Sequence, residues 1–91
     1  MNADDGWRPR LAARARLKFD AIANQEMLLF PEAALMLNET GAAIVRLCDG
    51  ARSINEIVEQ LSRKFGSADR ETLTREVIDF LDMVRARGLL Q

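Results

Sequence analysis

The stretch Leu28 to Asn38, LLFPEAALMLN, decides how this chain folds. It is almost wholly apolar, yet Pro31 and Glu32 stand in its middle. Proline has no N–H to give to a sheet ladder, so it ends a strand rather than sitting inside a central one. MLLFPE therefore reads as one strand that stops at Pro31, PEA as a turn, and ALMLN as a second strand folded back on the first. Successive strand residues point to opposite faces, so Leu35 and Leu37 share one face while Ala34 and Met36 share the other.

On the N-terminal side, ARLKFDAI alternates in the same way. Leu17, Phe19 and Ala15 point one way, and Arg16, Lys18 and Asp20 the other, the period of a half-buried strand. ANQE follows as a turn with Asn24 as its pivot. The three strands make an antiparallel meander whose middle strand is central. Its first and third strands are both edges.

On the C-terminal side the period changes to that of helices. Asn38 is a good N-cap for ETGAAIVRLCDG, Glu39 suits the positive end of the helix dipole, and Gly50 reads as the stop. Ser53 with Glu56 three residues on forms a capping box. Ile54, Ile57, Val58, Leu61 and Phe65 then make one apolar stripe that ends at Gly66. A third helix is expected from about Asp69 to Arg87, with Leu73, Val77, Phe80, Leu81 and Val84 as its stripe and Gly88 as its stop. Leu89 is expected to pack back on the core. The fold class is thus α+β and winged-helix-like, a three-stranded antiparallel sheet followed by a three-helix bundle. Residues 1–13 read as a polar N-terminal tail broken by Gly6 and Pro9, whose one aromatic, Trp7, either docks on the core or on a second subunit or stays a partly exposed tail residue, and residues 14–91 read as a single domain.

Composition narrows the function. The chain has 91 residues, 48% apolar and 30% charged, with a net charge of -1. That profile fits one compact soluble domain with no strong field toward nucleic acid or an acidic membrane. No apolar run approaches the roughly 20 residues that span a bilayer, and MNADDGWRPR lacks a signal-peptide core. There is no His, no Tyr and a single cysteine, Cys48. The residues offer no soft-ligand metal site, no imidazole base and no Gly-rich phosphate loop. A non-enzymatic role without cofactors, in the cytoplasm, is the expectation.

LLFPE, LNETG, LCDG and the terminal RGLL, in this order and at these distances, resemble the PqqD family of pyrroloquinoline quinone biosynthesis. The resemblance runs from about Arg8 to Leu90. Many relatives have LNETA where this chain has LNETG, a difference expected to leave the role unchanged. The resemblance implies a peptide chaperone that binds the ribosomally made precursor PqqA. It would present that peptide to PqqE, the radical S-adenosylmethionine enzyme that cross-links a Glu and a Tyr in it. It also implies that the peptide lies as an added strand along the third strand, beside the third helix. A chain ending just after RGLL reads as a stand-alone version of a domain that is elsewhere fused to its enzyme.

The residues point to the same place. An edge strand is usually blunted by charge or proline. Ala33, Ala34, Leu35, Met36 and Leu37 contain neither, so an extended peptide could add there. The groove is expected to be completed by Val77, Phe80, Leu81 and Val84 of the third helix. Ile78 and Met83 lie off that helix's stripe and either widen its core face or line a groove. Arg8, Arg10, Arg14, Arg16 and Lys18 form a basic stretch that would steer an acidic peptide or contact the enzyme, or is simply solvated.

Two other readings compete. A winged-helix DNA-binding protein needs a basic recognition helix. Here Asp69, Glu71, Glu76, Asp79 and Asp82 outnumber Arg70, Arg75, Arg85 and Arg87. A dimerisation module would pair free edges, giving a homodimer by strand exchange.

Overall fold

The computed structural model describes residues 6–31, 33–66 and 69–91. Three strands come first: β1 (Arg16–Asp20), β2 (Gln25–Phe30) and β3 (Ala33–Leu37). They form one antiparallel sheet in the order β1-β2-β3. Arg16 stands opposite Leu29, and Leu29 opposite Ala34. Three helices follow: α1 (Glu39–Leu47), α2 (Ile54–Lys64) and α3 (Arg70–Ala86). The α+β, winged-helix-like order read from the sequence is the one observed. Glu32, half of the expected Pro-Glu turn, lies outside the described residues, as do Ser67 and Ala68 and the first five residues.

Local chemistry sets the element ends. Asn24 takes a φ of 54° at the β1–β2 turn, a left-handed conformation that asparagine tolerates. The Asn38 side chain accepts from the Gly41 N–H at 2.7 Å and caps α1. Ser53 and Glu56 form the full capping box of α2. The Asp69 carboxylate accepts from the Thr72 N–H and caps α3. Gly88 reverses the chain at a φ of 74°, which sends Leu89 back into the core with no exposure.

The core has two lobes. One lies among the helices and is filled by Ile44, Ile54, Ile57, Val58, Leu61, Leu73, Val77 and Leu81. The other lies under the sheet, where Leu28 and Leu37 meet Ala42, Val45, Val84 and Leu89. Leu28 is fully buried, and the register places Leu17 and Leu35 beside it on the inward face. Phe30 and Phe80 are partly buried, Phe80 against both lobes.

Three expectations need correction. The segment read as a tail to residue 13 is docked from Trp7 onward. Pro9 is buried, and Arg10 and Leu11 pair with Asp49 and Leu90. The Ala12 N–H reaches the Leu89 carbonyl at 2.8 Å, and Trp7 Nε1 donates to the Gln91 carbonyl at 3.2 Å. Trp7 also stacks under the Arg85 guanidinium at 4.9 Å. The signal was the clustering of Trp7, Pro9 and Leu11, masked by the polar residues between them.

Helix α1 stops at Leu47, short of the expected Gly50. The Cys48 carbonyl is taken by the Leu11 N–H at 3.1 Å. Gly50, at a φ of 80°, lies in the next turn, where a Cβ would press on the Arg10 side chain at 3.2 Å. A partner far along the chain, invisible to local pattern, ends this helix. Phe19 was expected on the buried face; it lies on that face but at the sheet's end, beyond the core, and is 51% exposed.

Candidate functional site: the free edge of β3

The register of the hairpin tells which backbone groups the sheet leaves open. In an antiparallel pair, opposite residues alternate between exchanging both their hydrogen bonds and exchanging none. Phe30 stands opposite Ala33 across the two-residue Pro31-Glu32 connection. Pro31 has no N–H, so this closing pair must be bonded through Phe30 and Ala33 themselves. Alternation then bonds Leu28 with Leu35 and Glu26 with Leu37, and leaves Leu29–Ala34 and Met27–Met36 unbonded. The N–H and C=O groups of Ala34 and Met36 therefore point away from β2, to the open side of β3. Among the described residues no strand pairs there.

Side chains split the opposite way. Leu35 and Leu37 reach under the sheet, half-buried and buried respectively. Ala33, Ala34 and Met36 are exposed, Met36 at 43%. The strand thus offers two outward donors and two outward acceptors with no charge or proline between them.

The α3 flank that carries Phe80 meets the end of β3 at Leu37. At 100° per residue, Val77, Leu81 and Val84 point straight into the core, and Phe80, Met83, Glu76 and Arg87 lie on the flank of Phe80. A Cβ built on Gly41 would lie 3.1 Å from Phe80 Cε1 and 3.6 Å from Leu37 Cδ2. The Phe80 ring and Leu37 therefore converge over the first turn of α1. Met83 is half-buried against the lobe that contains Leu37 and Leu28, and Arg87 Nε sits 3.4 Å from its sulfur. Glu76 and Arg87 are exposed at the rim.

The nine expected site residues therefore divide. Ala33, Ala34 and Met36 are exposed on β3 and Leu35 is half-buried, while Phe80 is half-buried on the margin of the α3 stripe. Leu37 is buried under the sheet. Val77, Leu81 and Val84 do not reach the groove: each is 0–1% exposed and spent on the core. The stripe that makes a helix amphipathic is the part of it that packs inward, so a groove must be lined by the stripe's margin. Met83, off the stripe, is half-buried on the same flank as Phe80. Ile78, also off the stripe, packs on the helical lobe from the opposite flank.

Among the described residues the titration shifts lie elsewhere. Burial, with Asp49 adding to it, pushes the Cys48 thiol up to about 12. The Ala51 N–H, ahead of Arg52, holds Asp49 below the usual carboxylate range. Bonds from the Ser53 backbone and side chain, with Arg8, do the same for Glu56. These are structural contacts of turns and caps. Among the described residues no group of three or more acidic or cysteine side chains is gathered as for a metal. No helix there is long and apolar enough to cross a membrane.

The family model described as coenzyme PQQ synthesis protein D (PqqD) matches residues 26–90. This chain belongs to the PqqD family. It is 36% identical over 90 residues to the PqqA binding protein of Rhodopseudomonas palustris strain BisB5, covering 99% of this chain and 87% of the relative. The PqqA binding protein of Methylococcus capsulatus is 35% identical over 69 residues, covering 76% of this chain and 74% of the relative. Among solved structures it is similar to the PqqD part of Methylobacterium extorquens PqqCD. That match has a TM-score of 0.78 and 28% identity, and covers 91% of this chain and 87% of the other. That protein is described as a stand-alone recognition element for ribosomally synthesised and post-translationally modified peptides. The same PqqD fold is found in TbiB1, solved with the TbiA(beta) leader peptide, at a TM-score of 0.74 and 23% identity, covering 90% of this chain and 94% of that one.

Proposed function

We propose that this chain is a non-catalytic peptide chaperone of pyrroloquinoline quinone biosynthesis. It binds the precursor peptide PqqA as an added strand on β3 and presents it to the radical S-adenosylmethionine enzyme PqqE in the cytoplasm. The observation that carries this reading is the open edge of β3 at Ala34 and Met36. Backbone bonds to the edge supply affinity, and side-chain pockets supply selectivity. Peptide residues opposite Ala34 and Met36 share the outer face of the sheet, while the residue opposite Leu35 turns inward toward Phe80 and Met83. The flexible methionine suits an adaptable pocket. The names of the curated relatives, PqqA binding protein, agree with this occupant.

Strand exchange between two copies would use the same edge, so a homodimer would compete with the peptide. Titration calorimetry with the precursor peptide, paired with light scattering, tests the reading. One peptide per chain with no change in assembly is the expected result. A chain that ignores the peptide, or that binds duplex DNA with a steep salt dependence instead, would overturn it.

A further inference from the structure

The outer face of the sheet departs from what a solvated face requires. An antiparallel sheet packed on one side normally turns polar residues to the other. Here Met27 and Leu29 of the central strand and Ala34 and Met36 of β3 stand opposite one another on the outer face. Met27 and Leu29 are only half-buried, and Ala34 and Met36 are exposed. The β1 side of this patch is bordered by Arg16 and Lys18, opposite Leu29 and Met27. Both cations are exposed, and neither has an ion-pair partner among the described residues. The one acid in that row, Asp20, is engaged at the turn by the Ile22 N–H.

This apolar patch with a basic border is continuous with the open edge of β3. A strand added at Ala34 and Met36 widens the sheet, and every second peptide side chain joins the same outer face. We propose that the outer face docks the enzyme that modifies the bound peptide, through an apolar surface bordered by carboxylates. The inference rests on strand addition at β3. The composite face lets the enzyme read the chain and its peptide in one contact, so the loaded chain binds better than the empty one. Arg16 and Lys18, two strands away from the peptide edge, supply the charge complementarity and a salt-dependent encounter.

The test uses the full chain, the precursor peptide and the radical S-adenosylmethionine enzyme. Two variants are compared with the unmodified chain: Met27→Gln with Leu29→Gln, and Arg16→Glu with Lys18→Glu. Folding is checked by amide spectra, peptide affinity by calorimetry, and enzyme affinity by an optical binding assay with and without peptide. Each folded variant is expected to lose at least tenfold in enzyme affinity while peptide affinity stays within about twofold. Unchanged enzyme affinity in both variants overturns the proposal. So does an equal loss of peptide affinity, which would assign the face to the peptide. Self-association of the unmodified chain that the variants abolish would assign it to a second copy and also overturn it. Failure of the unmodified chain to bind peptide would strike the peptide-recognition reading itself, and this docking model with it.

Discussion

Met36→Pro separates the two sides of β3. The Met36 N–H points away from β2, so a proline there removes no bond of the chain's own sheet. Proline is tolerated on an edge strand where its missing N–H faces solvent, and the residue before it, Leu35, is already extended as a pre-proline residue should be. The variant is therefore expected to fold. Peptide binding loses one backbone bond, worth about 1 kcal/mol net, and leaves the facing peptide carbonyl unpaired against the proline ring, which adds roughly another 1 kcal/mol or more. A total of about 2 kcal/mol is roughly a thirtyfold rise in Kd. Calorimetry against the precursor peptide measures it. Met36→Ala, which keeps the N–H and loses only the outer side chain, is the control and should cost much less. Leu35→Pro removes a bond to Leu28 and should disrupt the sheet. A folded Met36→Pro chain that binds peptide within twofold of the unmodified one would falsify the assignment of outward groups.

Four other outcomes follow from the same geometry. Gly41→Ala gains up to about 1 kcal/mol of helix propensity, but its Cβ would press on Phe80 Cε1 and Asn38 Oδ1, both at 3.1 Å. Urea melts should show stability within about 1 kcal/mol of the parent, while the displaced ring weakens peptide binding several-fold. Cys48, buried and with its thiol raised to about 12, should resist a thiol reagent in the folded chain near neutral pH and react fully once unfolded. Deleting residues 1–12 removes the bonds Arg10 to Gln91, Leu11 to Cys48, Ala12 to Leu89, Gly50 to Pro9 and Gln91 to Arg10. At about 0.5–1.5 kcal/mol each, the truncated chain should melt well below the parent in a thermal scan. Glu56 has a folded pKa below its unfolded value of 4.5, so its stabilising contribution is present above that value and lost as pH falls through the folded one. Glu56→Gln should flatten the fall in melting temperature between about pH 5 and 3.

The fold was legible because its signals are local. Alternation marks β1, Pro31 splits the apolar run, Asn38 and Ser53 announce two helices by capping chemistry that acts within one turn, and the stripe from Leu73 to Val84 marks the third. The edge strand was legible for the same reason, since the absence of charge and proline from Ala33 to Leu37 is visible in five letters. What escaped depends on partners far along the chain. Docking of Trp7 is one reading of the sequence, but its partner Gln91 is not visible there, and Pro9 looks like a tail residue until Leu89 and Cys48 are brought against its neighbours. Val77, Leu81 and Val84 were placed in the groove because a stripe shows which face is apolar, not what covers each part of it. Only the approach of Phe80 to Gly41 brings the margin of α3, rather than its centre, toward Leu37. The same contact sets Gly41 against Phe80, a packing that the family resemblance alone did not indicate.

The central claim is that a peptide completes the sheet at Ala34 and Met36, and amide hydrogen exchange with and without saturating precursor peptide tests it most directly. In the free chain Leu35 and Leu37, bonded to β2, should be protected while Ala34 and Met36 exchange fast. Bound peptide should slow Ala34 and Met36 specifically, turning an alternating pattern into continuous protection along β3. If Ala34 and Met36 still exchange as in the free chain when the peptide is bound, strand addition at this edge is wrong.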